Sequence, residues 1–149
     1  MTTTDGAILL VEDNEDDVFL TQRALVTAGV GNPVFVVRDG LEAIAYLGGQ
    51  AAFADRTAYP LPVMVFLDWK LPLKSGHEVL KWIREQSALE SLVVVVLTSS
   101  DEPSDLRRAY SLGASSYLVK PLTLGQLTSL AEALGWRGLK VKPAEKCAP

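Results

Sequence analysis

Three carboxylates, a threonine and a lysine occupy equivalent places along this chain. Glu12 and Asp13 follow the apolar run Ala7–Val11, and Asp68 follows Val63–Leu67. Thr98 follows Leu92–Leu97, and Lys120 follows Tyr117–Val119. If these runs are neighbouring strands, the carboxylates converge. Carboxylates held together repel one another at large cost unless a cation sits among them. Oxygen ligands without His or Cys select a hard cation. An incomplete set, leaving room for water and a phosphoryl oxygen, suits Mg2+. Lys120 offers a point charge on a long stem to an anion, and Thr98 offers a hydroxyl. A carboxylate nucleophile, Mg2+, a lysine and a hydroxyl donor together make a phosphoryl-transfer site, where catalysis is mostly positioning and charge neutralisation.

The elements that must position these groups can be read from periodicity. Five apolar, β-branched runs recur, the second being Val34–Val37, which leads to Arg38 and Asp39. They are continuous rather than alternating, as expected of strands buried on both faces of a parallel sheet. Helical spacing lies between them. The expected apolar faces are Leu20, Ala24, Leu25 and Ala28, then Ile44 and Leu47, then Val79, Leu80 and Ile83, then Leu106, Ala109 and Tyr110. A last stripe of Leu124, Leu127, Leu130, Ala131 and Leu134 follows Thr123 as its N-cap. Five βα units predict a doubly wound α/β domain with five helices and right-handed crossovers. For five strands the flavodoxin-like order 2-1-3-4-5 is expected, with ligands outside the carboxyl ends of the strands. In that order the first and third strands are neighbours about 4.8 Å apart, which brings Glu12, Asp13 and Asp68 into one crevice. Residues 48–62 form a long connection, and connections of that length are often functional or mobile.

Composition limits the alternatives. The chain has 149 residues, 48% of them apolar and 21% charged, which fits one globular domain. The longest strictly apolar run has six residues, Leu92–Leu97, far below the roughly 20 needed to span a bilayer. No basic signal region precedes it. The lone Cys147 and the lone His77 can form neither a disulfide nor a zinc site, and the composition suits a reducing cytoplasm. Residues 1–134 carry 10 basic and 17 acidic side chains, and residues 135–149 carry four and one. An acidic body does not suit nucleic acid, and the small basic tail reads as a solvated terminus.

The strings LLVEDN (9–14), FLDWKLP (66–72), VVLTSS (95–100) and SYLVKP (116–121) resemble the CheY-like receiver domain of two-component response regulators. The motifs stand in the right order, with 52 residues from Asp68 to Lys120 and 22 from Thr98 to Lys120. VEDN with its second acidic cluster and the long 48–62 connection are similar to the small phytochrome-associated response regulators. The resemblance implies a receiver over 7–134, an N-terminal tail over 1–6 and a C-terminal tail over 135–149. It implies Asp68 as phosphoacceptor and Glu12, Asp13, Asp68 and the Lys70 backbone carbonyl as Mg2+ ligands. Lys120 would contact the phosphoryl oxygens, and Thr98 and Tyr117 would act as switch residues. The Lys120–Pro121 bond would be cis. The implied partners are a histidine kinase, of phytochrome type by the narrower likeness, and a second copy of the chain. The 15 tail residues are too few for an output domain, so output is expected from a partner or from self-association.

Blander readings stand beside these. Glu15, Asp16 and Asp17 are expected to serve only the helix dipole. His77 is expected to be exposed, Trp69 to have no catalytic task, Trp82 to pack or lie partly exposed, and Trp136 to anchor the tail. Tyr117 alone would read as a core aromatic, and Ser99 and Ser100 as loop residues, with Ser100 a possible tuner of hydrolysis. Lys70 departs from the small or uncharged residue that many relatives carry there. It also argues against an aspartyl-phosphate phosphatase, which would need Asp at that place. A flavin protein of the same fold would need a phosphate-cradling loop after the first strand, where this chain has Glu12-Asp13-Asn14-Glu15-Asp16-Asp17. The remaining alternative is a degenerate receiver used only for binding.

Overall fold

A computed structural model describes residues 6–99 and 102–133. Ser100, Leu134, residues 1–5 of the N-terminal tail and the whole C-terminal tail, with Trp136 and Cys147, lie outside the described residues. Strand β1 (Ala7–Val11) is followed by α1 (Glu15–Thr27), β2 (Val34–Val37), α2 (Gly40–Leu47), β3 (Pro62–Asp68) and α3 (Gly76–Glu85). Then come β4 (Val93–Thr98), α4 (Pro103–Ser111), β5 (Ser116–Val119) and α5 (Leu124–Ala133). The strands are parallel and ordered β2-β1-β3-β4-β5. The expected flavodoxin-like α/β architecture is therefore the observed one.

Both faces of the sheet are covered, which is why its strands are apolar without alternation. Leu9, Val11, Val65, Leu67, Val94 and Val96 pack with Ala43, Tyr46, Val79, Leu80, Ile83 and Ala109 of α2, α3 and α4. Ile8, Leu10, Met64, Phe66, Val95 and Leu97 pack with Val18 and Leu25 of α1 and Leu127 and Leu130 of α5. Full burial of each such side chain contributes about 1.5–3 kcal/mol before entropy is counted.

The helices start where their caps dictate. Asn14 opens α1 by accepting from the Asp17 N–H, and Asp39 opens α2 by accepting from Glu42. Ser75 and Glu78 form a reciprocal capping box on α3. Thr123 accepts from the Gln126 N–H, as expected of its capping role.

Several expected helix faces are corrected. In α1 the buried residues are Val18, Thr21 and Leu25, while Leu20 is exposed. In α4 only Ala109 is buried, and Leu106 and Tyr110 face outward. In α5 Leu124 is exposed, whereas Leu127, Leu130 and Ala131 are buried. The 48–62 connection is tied down rather than loose. Arg56 donates to the carbonyls of Tyr46 (2.8 Å), Leu47 (2.9 Å) and Tyr59 (3.1 Å). The Tyr46 hydroxyl donates to Pro60 at 2.9 Å, and Tyr46 packs with the rings of Phe35, Phe53 and Tyr59. This connection enters the amino end of β3, opposite the strand ends that carry the carboxylates.

Candidate functional site

The carboxyl ends of β1, β3, β4 and β5 bring the singled-out residues together. The Glu12 N–H donates to the Val37 carbonyl at 3.0 Å, which extends the β1–β2 ladder and sets Glu12 at the mouth of the sheet. Its side chain is fully buried, whereas the next residue, Asp13, is exposed. Asp68 ends β3, and the Trp69 N–H behind it donates to the Leu97 carbonyl at 2.9 Å. One oxygen each from Glu12, Asp13 and Asp68 lie within 4.8 Å of one another. That spacing and the all-carboxylate chemistry fit a small hard cation.

Lys120 projects from the end of β5, its N–H donating to the Thr98 carbonyl at 2.7 Å. The peptide bond to Pro121 is cis, as expected. The Lys120 ammonium donates to Glu12 Oε1 at 2.8 Å and to Asp17 Oδ2 at 3.0 Å. It stands 3.5 Å from Asp68 Oδ1. Burial pushes the Glu12 carboxyl up to about 7, with Asp68 adding to the rise and Lys120 pulling against it. Burial opposes the charge on Lys120, but hydrogen bonds to Glu12 and Asp17 and the Asp68 charge outweigh it. They hold the ammonium above its ordinary value.

Thr98 and Tyr117 are buried on adjacent strands, Tyr117 being paired in register with Val96. The Lys70 side chain is exposed, and its backbone N–H donates to Asp68 Oδ1 at 3.3 Å. Trp69 is buried with its indole N–H unpartnered among the described residues.

Two expectations are corrected at the site. Asp17 is not merely a dipole partner of α1, since its carboxylate reaches Lys120. The available signal was its place one turn after the Asn14 cap, which points it at the strand ends. His77 is half-buried rather than exposed and stacks on Trp69, with ring centroids 3.9 Å apart. Burial holds its imidazole below the ordinary value.

Comparison with known proteins agrees with this geometry. The family model for the response regulator receiver domain matches residues 8–132. The "Probable methanogenesis regulatory protein FilR2" of Methanothrix harundinacea is 42% identical over 139 residues, covering 87% of this chain and 84% of that protein. Response regulator Rcp1 of Synechocystis sp. is 36% identical over 127 residues, covering 85% and 84%. The solved Mn(2+)-bound form of Rcp1 aligns with a TM-score of 0.73 at 33% identity, covering 93% of this chain and 99% of that one. The structure of the bacteriophytochrome response regulator AtBRR aligns with a TM-score of 0.82 at 38% identity, covering 97% and 100%.

A parallel sheet with acids and a lysine at its carboxyl edge defines a receiver, and the chain belongs to the response regulator receiver domain family. Its place is in two-component signalling rather than in turnover of an outside substrate, and phytochrome-associated response regulators are among its relatives. No helix among the described residues is long and apolar enough to cross a membrane.

Proposed function

We propose that this protein, a receiver over residues 7–134, accepts a phosphoryl group on Asp68 from the phosphohistidine of a partner kinase. The observation that carries the reading is the Lys120 ammonium seated between Glu12 and Asp68, with Asp13 on the open side. An Asp68 carboxylate oxygen bonds to phosphorus as the phosphorus–nitrogen bond to the imidazole breaks, its electron pair returning to the ring. Glu12, Asp13, Asp68 and the Lys70 carbonyl hold Mg2+, whose chemistry is to neutralise the charge on the transferring phosphoryl oxygens. Lys120 donates to one of those oxygens and Thr98 to another. The buried Tyr117 changes rotamer when Thr98 moves.

The likeness to AtBRR supports a phytochrome-type kinase as the donor, and a composition with a single cysteine suits the cytoplasm as the place. Output then proceeds through partner binding or a homodimer. The face of α4, β5 and α5 suits self-association because it leaves Leu106, Tyr110 and Leu124 exposed. A receiver used only for binding would not need an acid set and lysine so closely assembled.

Intact-mass measurement after incubation with Mg2+ and acetyl phosphate tests this. A single phosphoryl adduct is expected, and none with a chelator. No adduct with acetyl phosphate or with a kinase would leave the binding-only alternative in place.

Lys70 is exposed two residues after the acceptor, and its long stem can bring the ammonium over the crevice. Its ammonium hinders or reorients the hydrolytic water, so Lys70→Asn should shorten the phosphoryl lifetime by about 2- to 5-fold, the size expected for an exposed charge. Phosphate release after removal of donor gives the rate, and an unchanged lifetime would remove Lys70 from the account.

A further inference from the structure

We propose that Asp17 is a positioning residue for Lys120. It holds the ammonium toward α1 and competes for it with a phosphoryl group arriving at Asp68. The proposal rests on the reading of Asp68 as phosphoacceptor.

A lysine ammonium carries three N–H donors. Here two are committed, to Glu12 at 2.8 Å and to Asp17 at 3.0 Å, while Asp68 stands off at 3.5 Å. The group that must serve Asp68 therefore spends two donors on Glu12 and Asp17 and stands farther from Asp68 than from either. Its hold is firm, because the side chain of Lys120 is only 15% exposed and charge-assisted bonds strengthen where water is excluded. Asp17 is itself fixed by the first turn of α1, where its N–H donates to Asn14 Oδ1 at 2.9 Å. A cleft of about 220 Å³ lies beside the pair, lined by Asp17, Thr21, Lys120, Pro121 and Leu122 among others.

Glu12 and Asp17 differ in what a bound cation does to them. Glu12 belongs to the carboxylate set that would hold the metal, so its negative charge is then shared with the metal. Asp17 is outside that set and keeps its full attraction for Lys120. With metal bound, Asp17 becomes the main rival of the phosphoryl oxygens for the lysine. When acetyl phosphate reacts, an Asp68 oxygen bonds to phosphorus and the bond to acetate breaks, acetate leaving with the electron pair. An ammonium released from Asp17 would meet the transferring oxygens with its whole charge.

The test compares the full chain with Asp17→Asn, Asp17→Glu and the neighbouring Asp16→Asn. The initial rate of phosphoryl uptake from subsaturating acetyl phosphate is measured at fixed Mg2+. Asp17→Asn should be about 3- to 10-fold faster, the scale of one charge-assisted hydrogen bond that is partly solvated. Asp17→Glu and Asp16→Asn should stay within about twofold of the parent on the same argument. Damage to the fold would slow uptake, so the expected direction is diagnostic.

A second readout does not depend on phosphorylation. The Lys120 ammonium should give a protected 15N NMR signal in the metal-free parent and lose it in Asp17→Asn. An Asp17→Asn rate equal to or below the parent's, an equal gain in Asp16→Asn, or an ammonium signal unmoved by Asp17→Asn would each overturn the proposal. A parent that takes up no phosphoryl group while the signal behaves as expected would count against Asp68 as acceptor and leave the Asp17–Lys120 pairing supported.

Discussion

Protein carrying Asp68→Asn is expected to take up no phosphoryl group from acetyl phosphate or a kinase, and to melt above the parent in the absence of divalent metal. The loss of uptake is complete because an amide oxygen cannot serve as the nucleophile that the carboxylate provides. The gain in melting temperature comes from the carboxylate cluster. Asp68 is buried, and its oxygen lies within 4.8 Å of oxygens of Glu12 and Asp13.

Two repulsions and a desolvation cost are relieved by the substitution, against one attraction lost, that of Lys120 at 3.5 Å. Asp68 also contributes to raising the Glu12 carboxyl to about 7, so Glu12 should ionise more readily once Asp68 is neutral. Lys120 keeps its bonds to Glu12 and Asp17. The net gain should be about 1–2 kcal/mol, a rise of a few degrees. Saturating Mg2+ should narrow or reverse the order, because a cation that binds the folded parent stabilises it by mass action and the variant has lost one ligand. Thermal melts with chelator and with Mg2+ give both comparisons. A variant that melts below the parent with chelator present would show that the acids are not in mutual repulsion.

The second large effect is expected at Gly76, which no motif marks. Gly76 begins α3, and its N–H donates to the Trp69 carbonyl at 3.1 Å. A Cβ there would stand 2.6 Å from the Asp68 carbonyl oxygen, 2.8 Å from Trp69 Cα and 2.9 Å from Trp69 Cε3. Two of these atoms are backbone, so relief requires moving either the helix start or the Asp68–Trp69 segment. Gly76→Ala should cost about 1–3 kcal/mol, the range for overpacking, and lower the melting temperature by roughly 3–10 °C.

The same shift displaces the Asp68 carboxylate from Lys120 and the acids, so phosphoryl uptake should fall about tenfold even where the variant is folded. Gly125→Ala is the control. It sits in α5 where, among the described residues, only Thr123 Oγ1, at 3.9 Å, is near an added Cβ, and it should be neutral or slightly stabilising. Equal behaviour of the two variants in melts and uptake would contradict the close packing of α3 on the acceptor segment.

The strands and the site were legible because each depends on a short, local pattern. Continuous β-branched runs mark strands covered on both faces, and the observed bounds fall within a residue of the runs. A parallel sheet then places whatever follows each run along one edge, which is how Glu12, Asp13, Asp68, Thr98 and Lys120 could be gathered from distant positions. Helix faces were less legible. Apolar spacing identifies a stripe but not which side meets the sheet, so Leu20, Leu106, Tyr110 and Leu124 read as buried and are exposed.

Asp17 was hidden by an adequate simpler explanation, since an acid in a first turn already suits the helix dipole. The ordering of 48–62 depends on Arg56 reaching carbonyls at the end of α2. The half-burial of His77 depends on the way α3 lies over Trp69. Long-range contacts of that kind leave no periodic trace.

The central claim is that Asp68 carries the phosphoryl group. Reduction of the phosphorylated protein with borohydride converts an acyl phosphate into the corresponding alcohol, and peptide mass spectrometry then locates it. The account predicts homoserine at position 68, at no other acidic residue, and only when Mg2+ was present during phosphorylation. A reduced residue elsewhere, or a phosphoryl group that resists reduction and maps to a serine, threonine or histidine, would contradict it.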